Sequence, residues 1–427
     1  MGPARTQPLT LLQLREWEPT EVALRPEQAA ELKALEDARL KVEVTGRPGV
    51  FRITPGSMVG AVRTGSIEVL IRPKVEIARL FELLSYSRTL SFSMETASVD
   101  PEADIVDCFA AIYLSAAGRV LSRGPLQGYV SQEEAMSTFR GRLRAGDQLR
   151  RRFGLSLPVE TTYDDFTVDI DENRLLKAAF LRLNSLPIRR ARLRRGIAEA
   201  LSALTEVSAP RYSPRHLPEI AITRVNRRYQ APLELAKLIL RNTSVELRAG
   251  RTMIGQFLVD MNEVFEDFLH AAIGRRLPPG PRWVQGKQVF LDADRRVAME
   301  PDLSWWRGDR CLFVGDAKYK RTVNGENPDL YQLLAYCMAT GTSRGLLLYA
   351  EAASPVTHVV EEVGVSLRVE GVDLSAPLPE LEARIDEIAA LVAEMAVLGE
   401  RHGDASGLAG LDHLGVALGA AGLDHRG

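Results

Sequence analysis

Three cysteines in 427 residues, Cys108, Cys311 and Cys337, lie far apart and form no C-x-x-C pair. That scarcity argues against a zinc frame or a disulfide scaffold and for a reducing compartment. Neither charge sign is in excess: 54 Lys and Arg face 56 Asp and Glu, a net of -2. Bulk charge therefore announces no nucleic-acid partner, and any DNA contact has to come from local basic patches. No stretch approaches the ~18 uninterrupted apolar residues of a membrane span, and the N-terminus lacks the apolar core of a signal peptide. The expectation is a cytoplasmic protein with no membrane contact. The phosphate-cradling pattern G-x-x-x-x-G-K-[ST] is missing too. Its nearest approach, "GPRWVQGKQ" (280–288), misplaces the first glycine and carries Gln288 in the hydroxyl position. The chain is expected to bind no nucleotide, so a motor, if one is needed, comes from another chain. No Ser-His-Asp or Cys-His arrangement stands out.

What is present describes an ordinary globular chain, 45% hydrophobic and 26% charged. At roughly 150 residues per domain, two or three domains are expected. Residues 1–100 read as β structure after a short helical piece, with "RTGS" (63–66) as a hairpin turn. Ile67, Val69 and Ile71 alternate with Glu68, Leu70 and Arg72, the pattern of a half-buried strand. Residues 101–250 read mainly helical, with helices predicted at 103–124 and 172–186. This region holds two basic stretches, "FRGRLRAGDQLRRRFG" (139–154) and "IRRARLRRG" (188–196). They suit DNA phosphates, a partner's acidic surface or plain solvent. The acidic run "YDDFTVDIDEN" (163–173) lacks calcium-loop spacing and reads as a strand edge or helix N-terminus. From 251 to 375 the pattern is mixed: a helix at 255–277, strands at 283–291, 297–306, 311–319 and 344–350, and a helix at 327–341. A last helix spans 376–399. The Gly- and Ala-rich tail 400–427 is expected to be disordered, its His413 and His425 spacers rather than metal ligands. The fold class is α/β (α+β) and multidomain.

The stretch "PDLSWWRGDRCLFVGDAKYK" (301–320) carries the chemistry. If the hairpin closes near Gly308 and Asp309, Asp302 falls almost opposite Asp316, at cross-strand distance. Strand alternation puts Asp316 and Lys318 on one face. Two carboxylates and an ammonium then converge. That set suits Mg²⁺, with Mn²⁺ as a substitute, held by Asp302, Asp316 and a carbonyl such as that of Ala317. Lys318 would orient a water or stabilise charge on a phosphoryl transition state. Lysine is scarce in this chain beside arginine, which makes its presence here informative. The bland alternative is a surface hairpin with a cross-strand ion pair. Of Trp305 and Trp306, one is expected in the core and the other more exposed. Gln332 and Tyr336 stand four apart on the following helix, and so on one face.

The order of a helix with an acidic residue, then "PD", then "DAK", then Q-x-x-x-Y resembles the PD-(D/E)xK nuclease superfamily. With "DMNEVFEDFL" (260–269), "VGAVRTGSIEVLIRPKV" (59–75) and the segment 128–180, the chain resembles the McrC family over about residues 45–350. These are the nuclease subunits of McrBC-type restriction systems. The resemblance implies that Asp302 and Asp316 are metal ligands and Lys318 the catalytic lysine. It makes Glu266 a metal or water ligand, with Glu263 as its competitor and a solvated helix face as the alternative. Gln332 and Tyr336 would support the site, a helix-surface hydrogen bond being the alternative for Gln332. It further implies a McrB-like AAA+ GTPase or ATPase hexamer as partner and double-stranded DNA as substrate. The β-rich N-terminal region, including 59–75, would be the arm entering the ring, and restriction of 5-methylcytosine or foreign DNA the role. Two other readings stay open. One is a non-cutting adaptor of the motor, which the intact Asp302, Asp316 and Lys318 argue against. The other is a stand-alone DNA-repair nuclease, which the long region before residue 251 argues against.

Overall fold

The computed structural model describes residues 9–33, 40–88, 104–153, 155–247, 253–320, 327–351 and 354–415. The chain divides into two compact units: 1–78 with 90–259, and 79–89 with 260–427.

The first unit begins with strands rather than a helix. β1 (Thr10–Arg15) and β2 (Thr20–Ala23) precede α1 (Pro26–Lys33), and β3 (Leu40–Val44), β4 (Val50–Pro55), β5 (Met58–Arg63) and β6 (Ile67–Arg72) follow. The turn between β5 and β6 forms where "RTGS" predicts it. The Glu31 carboxylate staples it, accepting from the Thr64 hydroxyl at 2.6 Å and the Ser66 hydroxyl at 2.9 Å. β6 is not half-buried as expected. Glu68 and Leu70 are as enclosed as Ile67, Val69 and Ile71, because both faces are covered. Glu68 tolerates this because the Arg189 guanidinium donates to it at 2.8 Å.

After α2 (Ile77–Arg88), α3 (Ile105–Leu121) starts at Asp104, whose side chain caps the Asp107 N–H at 3.0 Å. The region expected to be helical contains a three-stranded sheet, β7–β9–β8: β7 (Gly128–Met136), β8 (Arg142–Leu143) and β9 (Val159–Thr167). α4 (Ala145–Arg152) lies between β8 and β9 in sequence and has no buried residue. α5 (Asp171–Asn184), α6 (Ala191–Ala203) and α7 (Gln230–Asn242) supply the helical core. In it the Tyr113 ring meets Phe180 at 4.6 Å, and its hydroxyl donates to the Leu176 carbonyl at 2.9 Å. β10 (Thr243–Leu247) and β11 (Met253–Asp260) complete a five-stranded sheet ordered β1–β6–β5–β11–β10. Residues 255–260, predicted as the start of a helix, are strand; their apolar run suits either element.

In the second unit α8 (Met261–Gly274) begins at Asp260, which accepts from the Asn262 N–H at 3.0 Å. Then come β12 (Arg282–Val284), β13 (Val289–Phe290), β14 (Ala298–Met299), β15 (Leu303–Arg307), β16 (Arg310–Lys318), α9 (Asn327–Thr340), β17 (Arg344–Tyr349), β18 (Val356–Val360), β19 (Val365–Gly371) and α10 (Leu378–Gly415). The predicted strand at 283–291 is two short strands, and β18 and β19 were not anticipated. A six-stranded mixed sheet runs β12–β15–β16–β17–β19–β18. Its centre, β16–β17–β19, is parallel, and its margins are antiparallel. α9 makes the crossover from β16 to β17, as a parallel pair requires. It packs Leu333, Tyr336 and Cys337 onto Val314, Leu347, Tyr349 and Val369. α10 continues to Gly415, well past residue 399 and into the stretch expected to be disordered; it includes His413, while His425 lies outside the described residues. All three cysteines are buried and none is in a disulfide. Among the described residues no helix is long and apolar enough to cross a membrane.

Candidate active site

The hairpin of β15 and β16 closes at Gly308–Asp309, with Arg307 opposite Arg310 and Trp306 opposite Cys311. Gly308 takes φ +62, a conformation open to glycine at little cost. Above this the register shifts: Trp305 faces Phe313, Ser304 faces Val314 and Leu303 faces Gly315. Leu312 is the extra residue of a β-bulge. Continued by one step, this register sets Asp302 against Asp316, where an unbulged ladder would have set it against Gly315. Asp302 is held there by the Ala317 N–H, which donates to its Oδ2 at 2.9 Å.

Asp316 is 1% exposed. The Lys318 ammonium approaches its Oδ2 at 2.5 Å, as the shared strand face predicts. Beyond this ion pair, neither Asp316 oxygen has a polar partner. Burial, followed by repulsion from Asp302, holds the Asp316 carboxyl well above the usual carboxylate range, against the pull of Lys318. Burial works against charge on Lys318 as well, but the attraction of Asp316 and Asp302 outweighs it and raises its pKa.

Glu266 of α8 feels the same field. Burial first, then Asp302, pushes its carboxyl up to about 8, with Lys318 opposing. Glu263, one turn earlier, is exposed. Of the two acidic candidates on α8, the structure therefore brings Glu266 to the Asp302–Lys318 cluster. On α9, Gln332 donates to the Tyr336 hydroxyl at 2.9 Å, and that hydroxyl donates to the Glu300 carbonyl at 3.3 Å. The Q-x-x-x-Y pair thus braces the residue two before Asp302. Burial, then Asp316 and Asp302, raises the Tyr336 phenol, so it stays a donor.

Trp305 and Trp306 are both buried, at 4% and 7% exposure, so neither is the exposed member of a pair. Trp305 donates its indole N–H to the Pro281 carbonyl at 3.2 Å, and the Lys287 ammonium sits 3.3 Å from the Trp306 ring centre. Base stacking is closed to both. A functional candidate that sequence reading missed is Asp329, buried in the first turn of α9. Its spacing of three before Gln332 is the only signal it gave.

Among the described residues no group of three or more His, Cys, Asp or Glu gathers as a ready ligand set. The fit to a hard divalent ion rests instead on Asp316, whose two enclosed oxygens have no partner beyond the Lys318 ammonium, with Asp302 opposite. One or two carboxylates with water and phosphate suffice for Mg²⁺.

The profile of the McrBC 5-methylcytosine restriction system component matches residues 53–350. The chain belongs to that family. The match covers the hairpin, α8 and α9, and its bounds lie close to the span of the sequence resemblance. The architecture is mixed α/β. Among solved structures, the chain is similar to one in a refined half-complex from the tetradecameric assembly of Thermococcus gammatolerans McrB AAA+ hexamers with bound McrC. The TM-score is 0.58 at 17% identity, over 88% of this chain and 99% of that one. A second match, in a cryo-EM structure of the Thermococcus gammatolerans McrBC complex, has a TM-score of 0.43 at 18% identity, over 65% of this chain and 90% of that one. Comparison with curated proteins gives no match.

Proposed function

We propose that this family member is the DNA-cutting subunit of a restriction complex, a Mg²⁺-dependent endonuclease working with a McrB-like AAA+ hexamer. The observation that carries the reading is the bulge-set opposition of Asp302 and Asp316, with Lys318 at 2.5 Å from Asp316. Asp302, Asp316 and the Ala317 carbonyl would hold the ion, with Glu266 at the rim. When bound, it supplies positive charge against the scissile phosphate and acidifies a water. The remaining work falls to the chain's own groups. Asp302 is oriented by the Ala317 N–H before any substrate arrives. Lys318 brings a fixed positive charge to where negative charge grows in the transition state. Tyr336 and Gln332 keep the Glu300–Asp302 backbone in place.

For docking on the partner, burial argues against 59–75 itself within the N-terminal region 1–100, and exposed groups elsewhere favour a second segment. Val59, Ala61, Val62, Ile67, Val69, Leu70 and Ile71 are all buried in the five-stranded sheet, so 59–75 has no apolar face to insert into a ring. The β7–β9–β8 sheet and α4 instead expose Tyr129, Leu149, Phe153 and Phe166. Tyr129 and Phe166 pair at one end of the sheet, at 5.0 Å, and Leu149 and Phe153 flank Arg150–Arg152 near its other end; exposed apolar groups beside arginines suit an interaction surface.

Cleavage of methylated and unmethylated plasmid with Mg²⁺ and GTP tests the reading, using wild type and Asp316→Ala, each with the AAA+ partner. Cutting by wild type alone is expected. If neither cuts, yet both raise the partner's nucleotide hydrolysis, the chain is an adaptor. If wild type cuts without a partner, it is a stand-alone nuclease.

A further inference from the structure

α9 opens with a carboxylate that the chemistry above does not use. Asp329 is 6% exposed and lies three residues before Gln332. Its two partners come from the end of β17 and from the bend that follows β16. Tyr349, the last residue of β17 and fully buried, donates its hydroxyl to Asp329 Oδ2 at 2.6 Å. Lys320 places its ammonium 2.8 Å from Oδ2 and 3.1 Å from Oδ1. Both partners are tied to Lys318. Tyr349 is the residue paired with Lys318 in the β16–β17 ladder. Lys320 follows it by two and turns its N–H back onto the Lys318 carbonyl at 2.9 Å, where the Ala350 N–H also donates at 3.2 Å.

An enclosed ion pair contributes little to stability over an apolar pair of the same size, so stability alone is a poor account of Asp329. What such a pair does give is a fixed geometry. We propose that Asp329 is a positioning residue for phosphodiester cleavage: by gripping Lys320 and Tyr349 it fixes the end of β16, and with it the reach of the Lys318 ammonium. The inference rests on the nuclease reading. Lysine carries its charge on a flexible four-carbon stem, so its placement depends on where its backbone is anchored. A displacement of about 1 Å at a reacting group can cost on the order of 100-fold in rate.

The test is single-turnover plasmid cleavage by the full chain with its AAA+ partner and Mg²⁺. Wild type, Asp329→Asn, Tyr349→Phe and Lys320→Arg are compared well below their thermal midpoints. Asp329→Asn should lower the maximal rate by about 10-fold or more, while the DNA concentration for half-saturation and the stimulation of the partner's nucleotide hydrolysis stay unchanged. Tyr349→Phe should lose less, about 3-fold, and Lys320→Arg, which keeps the ion pair, should stay within about 2-fold. An unchanged maximal rate in Asp329→Asn overturns the proposal. So does a loss that matches a fall in folded fraction. A wild type that does not cut overturns both this inference and the nuclease reading, and the wild-type reaction alone shows that case.

Discussion

Asp302 stands opposite Asp316 because Leu312 has no partner. The two carboxylates are 14 positions apart in sequence and meet only through a one-residue slip in the hairpin. The slip reverses which residue of the central strand Asp302 faces, a consequence of the two-residue period of side chains. It leaves Asp316 enclosed and repelled, which is a poor arrangement for folding alone. A cation at that spot would turn this cost into affinity.

Asp316→Asn tests that account without any nuclease assay. In metal-free buffer the variant should be as stable as wild type or up to about 1 kcal/mol more stable, since an enclosed charge and its repulsion from Asp302 are gone. Lys318 loses its partner, but its side chain is 24% exposed and partly hydrated, which limits the loss. Wild type should gain about 2.7 kcal/mol when Mg²⁺ reaches 100 times its dissociation constant, and the variant should gain almost nothing. Thermal midpoints with and without Mg²⁺ decide it. Equal gains in both proteins would remove Asp316 from the ligand set.

How far the sequence went depended on whether a relationship was local. Gln332 and Tyr336 were legible because helical spacing alone puts them together. Asp316 and Lys318 were legible because strand alternation does the same. The Asp302–Asp316 pairing was only approximate, because no residue type marks Leu312 as a bulge. Asp329 was illegible, since its role comes from Lys320 and Tyr349 on other elements. The sheet of β7, β8 and β9 went unread because both its faces carry polar residues, so no apolar stripe announced it. Glu68 misled for the opposite reason: its charge made a fully enclosed strand look half-exposed.

The proposed docking surface predicts a separation of function. Leu149 and Phe153 are 67% and 89% exposed. Changing both to Asp should alter stability by less than about 0.5 kcal/mol, as for surface positions generally. Stimulation of the AAA+ partner's nucleotide hydrolysis should fall at least about 10-fold, because charges cannot enter an apolar contact. Full stimulation by a well-folded double variant would move the contact elsewhere on the chain.

Gly60 predicts a severe structural defect in the first unit. A Cβ at this position would sit 2.0 Å from the Phe257 carbonyl oxygen, and the residue holds φ +141. Neither the backbone of β11 nor this conformation can give way cheaply. Gly60→Ala should therefore cost about 3 kcal/mol or more. Urea denaturation followed by circular dichroism measures it, and a loss below about 1 kcal/mol would mean that β5 and β11 part more easily than the close approach implies.

Asp169 is a carboxyl whose ionisation favours the folded state. The Arg174 guanidinium donates to both its oxygens, at 2.9 and 3.1 Å, and Ser208 adds its N–H at 2.8 Å. Arg174 first, then Ser208, lowers the carboxyl to about 2 from its ordinary 3.8. A lowered acid favours the folded state while ionised, so its contribution is complete above about pH 4 and is lost as pH falls towards 2. Asp169 is partly exposed, and solvent screening reduces the contribution to about 1 kcal/mol. Asp169→Asn should thus be less stable than wild type by that amount at pH 7, and the two should converge near pH 2. Chemical denaturation at pH 7, 4 and 2.5 tests this. A gap that stays constant across the three would show that Asp169 acts through hydrogen bonds an asparagine cannot reproduce, and that its ionisation contributes nothing.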